Sequence, residues 1–116
     1  MTSLEKNIDF DDISIIREKS QNDIENLDIA SRLMYKYEFT CLIGLRANDL
    51  ANNSPCFIEI DKDSIKNNMD YRKIAIEELR QRKLYYTIVR RMINKNIYIN
   101  VSDERFDLTA IEHLMN

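Results

Sequence analysis

The fold is decided by residues 37–51, which read YEFTCLIGLRANDLA. This stretch and the residues before it from Met34 contain no proline, so it is predicted to be a helix. At about 100° per residue, its apolar side chains fall on two opposite sides: Tyr37, Cys41, Leu45 and Ala51 on one, and Phe39, Leu42, Ile43 and Leu50 on the other. A helix that is apolar nearly all round is buried on more than one face.

A chain of 116 residues builds only a modest core, so we expect a partner protein to cover part of this helix. Its one glycine, Gly44, lies in the middle of the helix. Glycine costs about 1 kcal/mol relative to alanine in a helix interior. We expect the close approach of another backbone to offset that cost.

The segments after the helix alternate between β and α patterns. Asn52–Pro55 is predicted to end the helix, and Cys56–Ile60 to form a short strand. Asp70 is the predicted N-cap of a second helix, Tyr71–Lys83, on whose surface Glu78 is expected to pair with Arg82.

The last third of the chain is predicted to be a hairpin of Tyr85–Met92 and Ile97–Val101 around a polar turn at Asn94–Asn96. Ser102 or Asp103 is expected to cap a closing helix, whose inner side chains are Leu108, Ile111 and Leu114 or Met115. The predicted fold class is therefore α+β, with two main helices, a short strand and a hairpin.

Charge divides the chain into two predicted parts. Residues 1–30 contain eight acidic and three basic residues, whereas residues 31–116 contain twelve acidic and fourteen basic ones. Like charge and scattered isoleucines predict a flexible acidic arm over 1–30, acting either as a solvated leader or as an interaction arm, ahead of a domain over 31–116. The net charge of −3 also argues against an autonomous nucleic-acid binder, which normally carries a basic excess.

The residue inventory does not favour an enzyme. His113 is the single histidine, Cys41 and Cys56 have no second pair for zinc, and one glycine cannot make a phosphate-binding loop. We therefore predict no catalytic residue, no metal and no cofactor. No apolar run approaches the roughly 20 residues of a membrane span, and the two cysteines with no secretory leader favour a reducing compartment and no secretion.

Three blocks, in the same order and spacing, resemble the omega-type small subunits of multi-subunit DNA-dependent RNA polymerases. The first is Tyr37–Ala51, with Tyr-Glu, Gly and Arg-Ala at the family's positions. The second is Ser54-Pro55 followed by Cys56–Ile60, and the third is Ile74–Arg91, ending in a double arginine. The last two are similar to the eukaryotic, archaeal and large-DNA-virus branch, which includes the common subunit of nuclear RNA polymerases I, II and III.

Two positions depart from that family. Its hairpin turn commonly contains Pro, Asp and Gly, whereas this chain has Ile93-Asn94-Lys95-Asn96, in which asparagine tolerates left-handed conformations. The family's Trp-Gly after the hairpin is absent, and Asn100-Val101-Ser102 stands near that place. The composition and divergence suit a large DNA virus better than a typical cellular nucleus.

The resemblance implies a non-catalytic transcription subunit that binds the carboxyl-terminal part of the largest polymerase subunit and promotes complex assembly. It implies contact with nucleic acid only through the polymerase, no membrane, no homo-oligomer, and a location in the nucleus, or in a virion or cytoplasmic viral factory. The residues that it assigns to partner binding are Tyr37, Glu38, Gly44, Arg46, Ala47, Leu50, Pro55, Arg90 and Arg91. Glu38 and Arg46 are expected to make charge-assisted bonds to the partner, with ordinary surface charge as the alternative. Tyr37 is expected to fill the core and Pro55 to stop the helix, with partner contact as the alternative for each.

Two alternative functions remain open at this stage. The basic residues Arg80, Arg82, Lys83, Arg90 and Arg91 would serve a small DNA-binding transcription regulator, or else form a solvated face and a protected strand edge. An adaptor of an unrelated complex would use the same apolar helix with a different partner.

Overall fold

The computed structural model describes residues 6–61, 63, 65 and 68–115. It is an α+β fold, as predicted, in which two helices pack together beside a four-stranded antiparallel sheet whose strands lie in sequence order. The elements are β1 (Asn7–Asp9), β2 (Ile13–Ile16), α1 (Lys36–Ala51), α2 (Asn68–Arg80), β3 (Thr87–Arg91) and β4 (Asn96–Asn100). Short 3-10 turns cover Ile24–Asn26, Ala30–Arg32 and Thr109–Leu114.

Residues 37–51 lie in α1, so the predicted helix is confirmed. A capping box begins it: the side chain of Glu38 accepts a hydrogen bond from the backbone N–H of Tyr35 at 3.0 Å. One face of α1 enters the core through Phe39, Leu42, Ile43 and Leu50. The helix ends where Asn53 adopts a positive φ of 72°, a conformation that asparagine tolerates.

The second predicted helix is confirmed, but α2 begins at Asn68 and ends at Arg80, about one turn earlier than Tyr71–Lys83. Asp70 therefore lies in the first turn and is not the N-cap. Its negative charge still suits the positive end of the helix dipole. Ala75 and Leu79 are fully buried in the common core.

The amino-terminal prediction of an arm outside the domain is wrong for residues 6–30. Within that range β1 and β2 are strands, and β2 pairs with β3 in the register Ile13↔Arg90 to Ile16↔Thr87. Ile13 and Ile15 are buried, because side chains two apart on a strand lie on the same face, and Ile24 is buried in the 3-10 turn that follows. Residues 1–5 of the predicted arm lie outside the described residues.

The predicted strand Cys56–Ile60 is absent from the structure, and the segment is irregular there. Side chains satisfy the backbone instead: Arg46 donates to the carbonyl of Pro55 at 2.8 Å, and the N–H of Phe57 donates to Glu78 at 2.8 Å.

The hairpin is confirmed: β3 and β4 pair from Thr87↔Asn100 to Arg91↔Asn96, and the N–H of Met92 donates to the carbonyl of Lys95 across the turn. The closing helix is a 3-10 segment, Thr109–Leu114, which begins after Leu108, so the predicted caps Ser102 and Asp103 are wrong. Leu108 and Ile111 are buried as expected, and Leu114 and Met115 pack against the core.

Candidate protein-interaction site

Arg46 on α1 lies at the centre of a buried ion-pair network. Its side chain donates to Glu78 on α2 through Nε at 2.6 Å and Nη2 at 2.9 Å, and its guanidinium stacks 4.4 Å from the centre of the Phe57 ring. Arg46 is 1% exposed and Glu78 is fully buried. Burial lowers the pKa of Arg46, but the hydrogen bonds and charge of Glu78 outweigh it and hold that pKa above its ordinary value.

A second carboxylate extends this network to the amino-terminal segment. Asp49 on α1 accepts two hydrogen bonds of 2.8 Å from Arg17, and the hydroxyl of Tyr86 donates to Asp49 at 2.6 Å. Arg46 Nη1 lies 3.2 Å from the same hydroxyl oxygen and joins the two halves. Burial, together with the neighbouring Asp49, raises the pKa of Tyr86 to about 12.

A separate ion pair connects α1 to β3. Arg90 donates to both carboxylate oxygens of Glu38, through Nε at 2.5 Å and Nη2 at 2.9 Å. The same guanidinium donates to the backbone carbonyls of Ser31 and Leu33. Tyr35 covers it, with its ring centre 4.6 Å away.

These pairs change the expected roles of three site residues. Glu38, Arg46 and Arg90 were expected to contact a partner, but the structure buries their side chains and bonds each of them within the chain. Glu78 likewise pairs with Arg46 and not with Arg82 as expected. Sequence spacing missed these pairs because their members are 32 and 52 residues apart.

The opposite face of α1 is open. We define the open face of α1 as Tyr37, Cys41, Gly44, Leu45 and Asn48, which the helical repeat places on one side. Tyr37, Gly44 and Asn48 are exposed, with 46% of Tyr37 accessible, while Cys41 and Leu45 are partly buried. Burial raises the pKa of Cys41, so this thiol is held in its neutral form.

Gly44 does not have the close neighbour that we expected. A Cβ atom built there meets nothing within 4 Å, so the packing of the described part of the chain does not require a glycine. No described residue of this chain makes the expected close approach to Gly44. The expectation that a partner backbone makes it stays a prediction.

The other predicted residues are dispersed. Ala47 borders the open face and is partly buried, Pro55 is exposed, and Leu50 is buried in the core. Arg91 lies at the hairpin end of β3 and binds Asp9 at 2.6 Å. The predicted basic cluster does not form, because Arg90 is buried and Arg91 lies at the opposite end of β3 from the end of α2.

An apolar tip that sequence reasoning missed stands beside Arg91. Met92 and Ile93 project from the hairpin turn, 54% and 100% exposed. The signal was present: two apolar residues directly precede the polar turn, where a solvated hairpin normally has none. The tip adjoins the turn between β1 and β2, since the N–H of Arg91 donates to the carbonyl of Asp12.

Two further features are absent from the part of the chain that the structure describes. No group of three or more His, Cys, Asp or Glu side chains is placed to hold a metal ion among these residues. None of the described helices is long and apolar enough to cross a membrane.

The comparisons with known proteins agree with the class that the sequence blocks indicated. The chain is 31% identical over 85 residues to a protein of Arabidopsis thaliana, DNA-directed RNA polymerases II and V subunit 6B. The aligned region covers 69% of this chain and 56% of the relative, so the chain spans little more than half of that relative's length. No protein-family model matches the chain. The similarity supports a relationship to RNA polymerase subunits.

Proposed function

We propose that this chain is a non-catalytic subunit of a DNA-directed RNA polymerase that binds the largest subunit and promotes assembly of the complex. Its similarity to the Arabidopsis polymerase subunit carries the proposal. The aligned part of the chain matches only part of that relative, so the partner and the assembly role rest on the resemblance and on the surface described above. The resemblance implies that the chain acts in the nucleus, or in a virion or cytoplasmic viral factory.

The open face of α1 is the surface that we assign to the largest subunit. The face of α1 opposite the open face packs in the core and forms the two ion-pair networks, which hold the helix at both ends. The outer face keeps a tyrosine, small side chains and an exposed helical glycine with open space above it. A helix can approach a partner backbone closely where glycine replaces a larger residue.

The cost of Gly44 supports a partner on this face. Glycine in a helix interior costs about 1 kcal/mol relative to alanine, and nothing in the described chain offsets that cost. Contact with a second protein would offset it, since a Cβ at this position would hold the two backbones apart. The buried charge pairs support the proposal differently: they hold α1 rigidly, which reduces the ordering cost of binding.

The test is co-purification of tagged Gly44→Leu and wild-type chains expressed in the native source. We expect Gly44→Leu to fold, because the space above Gly44 is empty, and to lose most of its polymerase recovery. Lys83→Leu, at an exposed position outside α1, is the matched control and should be recovered like the wild type. If Gly44→Leu entered the complex at full occupancy, the assignment of this face would be wrong while the polymerase proposal would stand.

A further inference from the structure

A cavity of about 720 Å³ opens between the end of α2 and the carboxyl-terminal segment, away from the open face of α1. Arg80, Arg82 and Arg105 line it together with Glu104, Asp107 and Glu112. Two of these arginines are already engaged. Arg105 binds both carboxylate oxygens of Asp103, and Arg80 contacts Glu77 and the backbone carbonyl of Met115.

Arg82 occupies an unusual backbone position in this cavity. The N–H of Lys83 donates to the carbonyl of Glu78, and that of Arg82 donates to the carbonyl of Leu79, which is the hydrogen-bond pattern of a Schellman helix end. Arg82 is the left-handed residue of that motif, with a φ of 59°. Glycine is the usual residue there, and a strained side chain in a cavity is a reason to look for function.

Part of the Arg82 guanidinium makes no hydrogen bond to the described residues. Only Nη1 donates, to the carbonyls of Asp103 at 2.9 Å and Val101 at 3.5 Å. Within the described residues, no carboxylate oxygen lies within 4 Å of it, and Nε and Nη2 donate to no protein acceptor. Arg46, which is also held near a backbone carbonyl, has in addition a carboxylate that accepts two of its hydrogen bonds. Burial lowers the pKa of Arg82, as expected where the neighbouring acids compensate its charge only in part.

We propose that this cavity receives a single carboxylate from a segment of a partner protein, bound side-on by the Nε and Nη2 of Arg82. A guanidinium with two free parallel N–H groups matches the two oxygens of a carboxylate. The three acidic side chains that also line the cavity repel a polyanion such as a nucleic-acid strand. They favour basic residues on either side of the bound carboxylate. The proposal is independent of the polymerase assignment, because it uses a different surface and a different ligand chemistry.

The test is an NMR titration of the full chain in low salt with the peptide Ac-Lys-Glu-Lys-NH2. We expect saturable shifts of the Arg82 Nε–H signal and of backbone amides in residues 103–109. The matched peptide Ac-Lys-Gln-Lys-NH2 should bind at least about tenfold more weakly, since a neutral amide loses the charge-assisted pair. Equal binding of the two peptides, or no saturable shift with either, would overturn the proposal.

Two variants separate the role of the guanidinium from the fold. Arg82→Gly removes the guanidinium, and glycine readily adopts the left-handed backbone conformation of this position. Arg82→Asn is a second variant, since asparagine also tolerates that conformation. Both should keep wild-type spectral dispersion and lose at least about tenfold in affinity. Lys36→Gln, which removes the same charge from an exposed position on α1, should bind as the wild type does. Wild-type affinity in a folded Arg82→Gly, or tighter binding of a uridine octanucleotide than of the glutamate peptide, would contradict the proposal.

Discussion

Replacing Glu78 by glutamine tests whether the buried network holds the two helices together. Glu78 is fully buried and accepts three hydrogen bonds, two from Arg46 and one from the N–H of Phe57. A glutamine has nearly the same shape but carries no charge, and its amide group would direct N–H donors at a site that needs acceptors. The guanidinium of Arg46 would remain buried without its counter-charge.

Breaking a buried ion pair from one side costs about 3–5 kcal/mol. We expect Glu78→Gln to lower the free energy of unfolding by about 4 kcal/mol, because the site stays buried and the remaining acceptors of Arg46 are a carbonyl and a hydroxyl oxygen. With an unfolding entropy of about 2.1 cal/mol/K per residue, this corresponds to a fall of about 15 °C in Tm. Urea and thermal unfolding, followed by circular dichroism, measure both quantities.

The adjacent Glu77 is a matched control. It lies on the same helix and its side chain is 39% exposed, where it pairs with Arg80 at 3.4 Å. Glu77→Gln should change the free energy of unfolding by less than about 0.5 kcal/mol, as exposed pairs do. If the two glutamine variants were equally stable, the network would not contribute to the fold as described, and its geometry would be incidental.

Three further predictions follow from the packing and from the titration of Tyr86. Ile15→Ala should lower the free energy of unfolding by about 2–4 kcal/mol because Ile15 is fully buried, whereas Ile29→Ala, at an 81% exposed position, should change it by less than about 0.5 kcal/mol. Equal effects of the two variants in denaturant unfolding would contradict the docking of the amino-terminal segment. The pKa of Tyr86 is about 12 in the folded chain against an ordinary value near 10, so the protonated hydroxyl contributes about 3 kcal/mol to the free energy of unfolding below pH 10, and this contribution is lost as the pH rises towards 12. In denaturant unfolding at successive pH values, Tyr86→Phe should lose less stability over this range than the wild type, and an identical loss would refute the assignment. Gly44→Ala should raise the free energy of unfolding of the isolated chain by up to about 1 kcal/mol, the helix-propensity gain at an unobstructed site, and a fall would show that the site is occupied within the chain.

Much of the fold was predictable because apolar periodicity is a local property of the sequence. α1, α2 and the β3–β4 hairpin follow from patterns within windows of ten to sixteen residues. The missed elements are short or polar. β1 and β2 have three and four residues within an acidic stretch, where charge outweighs the brief alternation of Ile13 and Ile15. Cys56–Ile60 has strand-like composition, but in the structure the side chains of Arg46 and Glu78 bond the backbone of Pro55 and Phe57, and contacts between such distant residues are not visible in the local sequence.

The sequence predicted the helix that carries the candidate site but not the burial of its charged residues. The sequence identified α1 as a helix with two apolar sides, and the structure buries one of them and leaves the other open. Glu38 and Arg46 were expected on the surface, yet both lie on the buried side with Leu42. The sequence did contain a signal for this burial, because Glu38 and Arg46 fall among the apolar residues of one side of the helix. A charged residue on a buried side needs a buried partner. The identity of that partner depends on contacts across 32 and 52 residues, which one sequence does not show.

The most direct test of the central claim is affinity purification of the tagged wild-type chain from its native source, with mass spectrometry of the proteins retained after a moderate salt wash. We expect the two large RNA polymerase subunits to be recovered in equal amounts with the tagged chain. A different set of partners, with neither large subunit present, would contradict it, and the open face of α1 would then belong to an adaptor of another complex.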